Sequence, residues 1–230
     1  MRPLPGAVLA LTLLLSANAA DADTIRIVAI GDSNTAGFGV SQPNKYPTQL
    51  ERALQTRGYD VEVVNAGVSG DTTSGALRRL EAALPDGTDI AIVFLGRNDL
   101  RFGFQTYTTR RNLDEIVSRL RGRGVEVILA GFHTRDFSDI AATHGATYYP
   151  DFFDGVAVDG VKKPGYRLFW DIIGHLNASG YQEVVSRLSP VVEFQVLKVF
   201  CRRLGDAIMF APECRTPEMQ AQLSGDTFRR

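Results

Sequence analysis

Residues 25–40, IRIVAIGDSNTAGFGV, contain the pattern from which the fold is predicted. The first half of this stretch is rich in Ile and Val, which is typical of a strand that is buried on both faces of a parallel sheet. The strand ends abruptly at Gly31-Asp32-Ser33-Asn34, and these residue types favour tight turns. Two interpretations are open at this point: an ordinary turn after a strand, or a serine nucleophile presented at the strand's carboxyl end.

Short β-rich runs and helix-patterned segments alternate along the rest of the chain. Strands are predicted at 24–31, 61–68, 89–96, 125–132 and 146–153, and helices at 46–56, 72–84, 108–121 and 136–144. This alternation predicts an α/β protein, a three-layer α/β/α sandwich around a central parallel sheet of about five strands. The pattern is helical again from Ala178, with Pro190 expected to break the helix and Ser189 to cap a further helix to about Leu204.

Residues 1–20, MRPLPGAVLALTLLLSANAA, have the pattern of a secretory signal peptide: a basic residue, a short apolar core and an A-x-A ending. The apolar core is short for a bilayer span, and an uncleaved membrane anchor is the alternative. We therefore expect a periplasmic or secreted protein with no stable membrane insertion after cleavage. The rest of the chain is expected to form one domain at 21–189 and a C-terminal helical extension at 190–230.

The extension contains both cysteines of the chain, Cys201 and Cys214. In an oxidising compartment they are expected to form a disulfide, and two unpaired thiols are the alternative. They are not spaced as metal ligands and have no histidine nearby, so we assign no metal site. The helix PVVEFQVLKVFCRRL is apolar on more than one face, which predicts packing against the domain or another subunit, with a membrane-surface role as the minority interpretation.

In a parallel sheet, ligands bind beyond the carboxyl ends of the strands. Ser33 follows the first predicted strand, Gly70 the second and Asn98 the third, so all three are expected on one rim. Acyl hydrolysis needs a nucleophile, a base, a group that orients the base, and hydrogen-bond donors for the oxyanion. Ser33 is the candidate nucleophile, while the Gly70 amide and the Asn98 side chain are candidate donors.

The chain offers three histidines as the base. His144 is expected to be a solvated residue at a helix end. His133 follows the fourth strand and either lines the pocket or has a plain loop role, which we favour. His175 lies four residues after Asp171, just before a helix that Asn177 is expected to cap, and it is either the base or a structural loop residue.

Four blocks, GDSNTAG, NAGVSGDT, GRND and HLNASGY, occur in the order and spacing of the SGNH, or GDSL-type, hydrolase family. The resemblance runs from Ile25 to Leu188 and is strongest to the thioesterase, arylesterase and lysophospholipase branch. It implies a flavodoxin-like fold and a reaction that needs no cofactor.

The resemblance also implies a role for each matching residue. Ser33 is the implied nucleophile, His175 the general base and Asp171 the group that orients the imidazole. The implied oxyanion hole consists of the Ser33 amide, the Gly70 amide and the Asn98 side chain. Asp32 is implied to be structural and to brace the turn.

The sequence departs from the family at the acid, because the family pattern is D-x-x-H and this chain has D-x-x-x-H. We favour a bulged loop that still lets Asp171 orient His175. The alternative is an Asp171 that faces solvent, with a Ser33–His175 dyad oriented by a backbone carbonyl. The connection HTRDFSDIAATHG looks shorter than in the branch, which predicts a more open site.

Together these features predict a secreted serine hydrolase that cleaves carboxylic ester or thioester bonds of small acyl or lysophospholipid-like substrates. A carbohydrate O-acetylesterase is the alternative within enzymes, and a non-catalytic ligand-binding envelope protein is the alternative outside them. The formal net charge of −1 gives no reason to expect nucleic acid or an anionic membrane as a partner.

Overall fold

The computed structural model describes residues 24–224. The predicted signal peptide, residues 1–20, and the last six residues of the C-terminal extension, 225–230, lie outside the described residues. Within residues 24–224, no helix is both long enough and apolar enough to span a bilayer.

The centre of the molecule is a five-stranded sheet in the order β2-β1-β3-β4-β5, with every neighbouring pair parallel. The strands are β1 Ile25–Gly31, β2 Val61–Gly67, β3 Thr88–Phe94, β4 Glu126–Ala130 and β5 Thr147–Tyr149. The predicted parallel sheet is confirmed. β5 is shorter than predicted because Pro150 follows it and has no N–H for the sheet ladder.

Helices cover both faces of the sheet. They are α1 Ser33–Ala36, α2 Tyr46–Thr56, α3 Thr73–Arg79, α4 Arg97–Arg101, α5 Thr106–Gly122, α6 Ser138–Thr143, α7 Ala178–Leu204 and α8 Pro217–Ser224. α2 packs against α7, whereas α5 packs against α3 and α6. The chain first moves from β1 to β2 and then back across β1 to β3, so right-handed crossovers place these two helix groups on opposite faces. The predicted three-layer α/β/α sandwich is confirmed.

The core lies on both sides of β1 and β3, the central strands. The side chains of Ile27, Ile30, Ile90 and Ile92 are fully buried, and each contributes about 1.5–3 kcal/mol through removal from water. Burial on both faces explains why these strands are continuously apolar instead of alternating. A rigid sheet results, and its carboxyl ends position the loops that follow.

The predicted break at Pro190 is wrong, because α7 continues through it to Leu204. Proline removes the hydrogen bond to the carbonyl of Ser186, but both residues are exposed, so water can satisfy that carbonyl. Ser189 does not cap a second helix; its hydroxyl donates to the Val185 carbonyl at 2.6 Å. Buried valines on either side of the proline hold the two halves of the helix against the core.

The extension packs on the domain, as its apolar faces predict. Cys201 and Cys214 form a disulfide with a Cα–Cα distance of 5.6 Å, and it is buried in a small cluster with Ala211 and Met219. Asn177 caps the start of α7 as predicted, since its side chain accepts a hydrogen bond from the Gly180 amide at 2.9 Å.

Candidate active site

The turn after β1 holds Ser33 at the carboxyl edge of the sheet. Asp32 caps α1 by accepting a hydrogen bond from the Asn34 amide at 2.8 Å, and Ser33 is the first residue of that helix. Gly31 allows the close approach of β3, because a Cβ at this position would lie 2.8 Å from the Phe94 carbonyl oxygen. Both interpretations of the opening stretch are therefore compatible: the residues form a tight turn, and that turn presents the serine.

Ser33, His175 and Asp171 form a continuous hydrogen-bonded chain. The Ser33 Oγ lies 2.8 Å from His175 Nε2, and His175 Nδ1 lies 2.5 Å from Asp171 Oδ2. An ionised carboxylate only accepts hydrogen bonds, so Nδ1 carries the hydrogen and Nε2 is free to accept the serine proton. All three side chains are buried, which strengthens these interactions by keeping water out.

The extra residue between Asp171 and His175 is absorbed by a tight turn. The Gly174 amide donates to the Asp171 carbonyl at 3.0 Å, closing the turn, and Gly174 has a left-handed φ of 76°. This turn brings the His175 amide to 2.6 Å from Asp171 Oδ2. The alternative in which Asp171 faces solvent does not occur.

The same contacts set the ionisation of Asp171. Burial opposes its charged form, but hydrogen bonds from the amide and ring of His175 and from the Ile173 amide hold the pKa of Asp171 below its usual range. The carboxylate is thus ionised at neutral pH and suited to stabilise an imidazolium.

The candidate oxyanion donors lie at the ends of three adjacent strands. Gly70 follows β2 with a left-handed φ of 81°, and a Cβ there would meet no heavy atom within 4 Å. Among residues 24–224, no hydrogen bond uses the amide N–H of either Ser33 or Gly70. Asn98 is buried in α4, where its amide donates to the Asp71 carbonyl at 2.8 Å and lies 3.5 Å from Asp32 Oδ2.

Two cations close to the triad have no signal in the sequence pattern. The Lys162 Nζ lies 4.4 Å and the Arg97 Cζ 4.6 Å from the centroid of the Phe153 ring. Lys162 comes from an unpredicted hairpin of strands β6 Ala157–Val158 and β7 Val161–Lys162. Burial lowers the pKa of Lys162 to about 7, and Arg97 adds to the effect.

Asp99 lies on the same rim, but the sequence predicts no role for it. Its buried carboxylate accepts a hydrogen bond from the Thr73 amide at 2.9 Å and one from the Thr73 hydroxyl. It thereby ties the segment that carries Asn98 to the start of α3.

Burial raises the pKa of Asp32, although the hydrogen bonds from Asn34 act in the opposite direction.

The other two histidines do not contact Ser33. His133 is exposed beside Gly160 of the hairpin, in agreement with a loop role. His144 ends α6 as predicted, but it is not simply solvated, because its Nε2 lies 2.7 Å from Asp114 Oδ1.

Apolar side chains lie beside His175 and in the loop that carries Asp171. The Phe38 ring centroid lies 4.6 Å from that of His175 and 6.0 Å from that of Trp170. In the loop that carries Asp171, Phe169 is 95% exposed and Ile172 is 99% exposed. The surface next to His175 and the loop that carries Asp171 therefore both present exposed apolar side chains.

Comparison with known proteins identifies the family. The model of the GDSL-like lipase/acylhydrolase family matches residues 29–183. An arylesterase of Vibrio mimicus is 31% identical over 147 residues, which cover 64% of this chain and 70% of the relative. Esterase TesA of Pseudomonas aeruginosa is 32% identical over 160 residues, which cover 64% of this chain and 79% of that esterase.

A solved structure supports the same assignment. AlinE4, an SGNH-hydrolase family esterase, has a TM-score of 0.58 and 33% sequence identity to this chain, covering 74% of this chain and 95% of AlinE4. With the parallel sheet and the ordered sequence blocks, these similarities place the protein: the chain belongs to the GDSL-like lipase/acylhydrolase family and is a serine ester hydrolase.

Proposed function

We propose that the protein hydrolyses esters or thioesters of small acyl or lysophospholipid-like substrates through an acyl-enzyme on Ser33. The observation that carries this proposal is the chain of hydrogen bonds from Ser33 Oγ through His175 to Asp171, at 2.8 Å and 2.5 Å. This geometry has the nucleophile, the base and the orienting acid that acyl transfer requires.

The reaction proceeds in two halves. His175 Nε2 takes the proton of Ser33 as Oγ bonds to the substrate's carbonyl carbon, and the imidazolium then returns that proton to the departing alkoxide or thiolate. A water molecule next gives a proton to His175 and attacks the acyl-enzyme, releasing the carboxylic acid and restoring Ser33. Asp171 remains ionised and fixes the imidazole tautomer throughout.

The tetrahedral intermediates carry a negative charge on the former carbonyl oxygen. The Ser33 and Gly70 amides are proposed to donate to it, since both are unused in the described part of the chain. Asn98 is the proposed third donor, through the amide hydrogen that faces Asp32 at 3.5 Å rather than the one bonded to Asp71. Each such donor lowers the barrier by on the order of 3 kcal/mol.

The surface around the triad favours acyl substrates over acetylated carbohydrate. Phe38 packs on the His175 ring, and exposed apolar residues accompany both segments that supply the site: Leu100, Phe102 and Phe104 after Asn98, and Phe169, Trp170, Ile172 and Ile173 around Asp171. An acyl chain gains free energy by covering such surface, at roughly 25 cal/mol per Å². An acetyl group is too small to cover much of it.

The proposed location is the periplasm or the cell exterior. The signal-peptide pattern of residues 1–20 supports export. The Cys201–Cys214 disulfide supports it too, because such bonds persist in oxidising compartments.

One set of assays tests the proposal. The purified mature protein, with Ser33→Ala as control, is assayed on nitrophenyl esters of graded chain length, an acyl thioester and acetylated xylan. We expect Ser33-dependent turnover that rises from acetyl to longer acyl esters. A preference for acetylated xylan would replace the proposed substrate class with a carbohydrate acetyl ester, and the absence of Ser33-dependent turnover on every substrate would refute the acyl-enzyme.

A further inference from the structure

We propose that Lys162 is a positioning residue for the triad, holding the turn Asp171–His175 through the backbone carbonyl of Gly174. This inference rests on the proposed function, since it assigns Lys162 a role in the Ser33 reaction. No contact between Lys162 and the substrate is needed for it.

Two carbonyls of the turn, those of Asp171 and His175, accept backbone hydrogen bonds, whereas the Gly174 carbonyl accepts one from a side chain. The Asp171 carbonyl accepts from the Gly174 amide at 3.0 Å, and the His175 carbonyl accepts from the Leu168 amide at 2.9 Å. The Gly174 carbonyl instead accepts from Lys162 Nζ, at 2.6 Å. A side chain from a different element therefore fixes the residue that precedes the catalytic histidine.

This contact is linked to the departure from D-x-x-H. The additional residue makes the chain turn at Gly174, whose φ of 76° directs the backbone out of an extended path. The hydrogen bonds from Ile173 and His175 to Asp171 depend on that turn. Lys162 restrains the turn from outside, so it compensates for the freedom that a longer loop would otherwise have.

The surroundings of Lys162 hold its terminal nitrogen in place. Its Nζ lies over the buried ring of Phe153, 4.4 Å from the centroid, in a cation–π geometry. The backbone at β7 is fixed by pairing with Ala157 and by the hydrogen bond from the Lys163 amide to the Val156 carbonyl at 2.9 Å. Because its backbone and its terminal nitrogen are both restrained, the Lys162 side chain links the hairpin to the turn.

The first experiment compares Lys162→Met with Lys163→Met. Methionine keeps a long apolar side chain and removes the donor. Lys163 is a matched control, because it is the next residue and also donates to a backbone carbonyl, that of Gly155 at 2.7 Å. Unlike Lys162, it is exposed and its hydrogen bond does not involve the turn. On a short soluble nitrophenyl ester we expect Lys162→Met to lower kcat at least tenfold with KM within twofold, and Lys163→Met to change neither beyond twofold.

A double-mutant cycle separates positioning from general damage. If Lys162 acts through Asp171 and His175, Lys162→Met should lower kcat less than threefold when Asp171→Asn is already present. An equal loss in both backgrounds would overturn the proposal, as would a Lys162→Met kcat within twofold of wild type. Should Lys162→Met fail to fold, as judged by thermal unfolding, Lys162→Leu, which also lacks a donor, decides by the same criteria. Absence of Ser33-dependent turnover in the wild type would instead refute the proposed function.

Discussion

Among single residues, Asp171 has the decisive side chain. It accepts hydrogen bonds from the ring and the amide of His175 and from the amide of Ile173. Asparagine has the same shape, but its amide nitrogen donates where a carboxylate accepts. The imidazole would then be held in the wrong tautomer, with its hydrogen on the nitrogen that faces Ser33.

We therefore expect Asp171→Asn to lower kcat by about 10⁴, the loss found when the acid of such a triad is replaced, with little change in KM. Steady-state kinetics on a soluble ester measures both constants. Asp154→Asn is the control, because that carboxylate is exposed and pairs with Arg187 on the surface. A loss of less than tenfold for Asp171→Asn would remove Asp171 from the triad.

Gly174 provides a test of the turn itself. A Cβ at this position meets no atom within 4 Å, so Gly174→Ala introduces only the strain of a left-handed φ, about 1–2 kcal/mol. Gly165→Ala is the matched control, since its Cβ is equally free and its φ is not left-handed. We expect denaturant unfolding to show a loss of about 1–2 kcal/mol for Gly174→Ala alone; equal losses in both variants would contradict the role of φ.

Among the elements, β1, β2, β3 and α2 could be predicted from the sequence because their burial agrees with their sequence pattern, which is a short apolar run in the strands and apolar periodicity in the helix. The rim of Ser33, Gly70 and Asn98 followed, since parallel strands bring their carboxyl ends to one edge. The D-x-x-x-H spacing predicts a bulge between Asp171 and His175, but periodicity carries no information about loop backbones. Neither the hydrogen bonds of that turn nor the hairpin that supplies Lys162 was therefore predictable. The break predicted at Pro190 is wrong for a related reason, because tertiary packing overrides the local preference of proline to end a helix.

Glu126 joins three elements, because this buried residue of β4 contacts Arg121 of α5 and Lys198 and Arg202 of α7. Burial opposes its ionisation, but these cations hold the pKa of Glu126 below its usual value of 4.5. The folded state thus favours the carboxylate. Its contribution to stability is fully present above about pH 4.5 and is lost as the pH falls through the folded-state pKa.

We expect Glu126→Gln to lower the free energy of unfolding by about 1–3 kcal/mol at pH 6, and the gap to wild type to narrow as the pH falls below 4.5. Denaturant unfolding at pH 6 and at lower pH measures both. Glu115→Gln removes an exposed pair with Arg119 and should cost less than about 0.5 kcal/mol. A gap that stays constant with pH would show that the Glu126 charge is unimportant.

For the whole molecule, α7 connects the triad to the C-terminal extension. The helix begins three residues after His175, at Ala178, and Cys201 lies 23 residues after Ala178. At 1.5 Å per residue the disulfide is roughly 35 Å along the helix from the active site. Buried valines along α7 pack the helix against the core. The end near His175 therefore serves catalysis, and the end that carries Cys201 serves stability.

Because of this separation, we expect the disulfide to affect stability and not catalysis. Replacing Cys201 and Cys214 together by serine frees a loop of 13 residues' separation and should lower the free energy of unfolding by about 3 kcal/mol. Because the bond lies far from Ser33, kcat and KM at a temperature where the variant is folded should stay within twofold of wild type. Denaturant unfolding and steady-state kinetics on the same preparation test both parts, and thiol titration of denatured, unreduced wild type should find no free thiol. Loss of turnover without loss of stability would mean that the extension shapes the active site, contrary to the distance along α7.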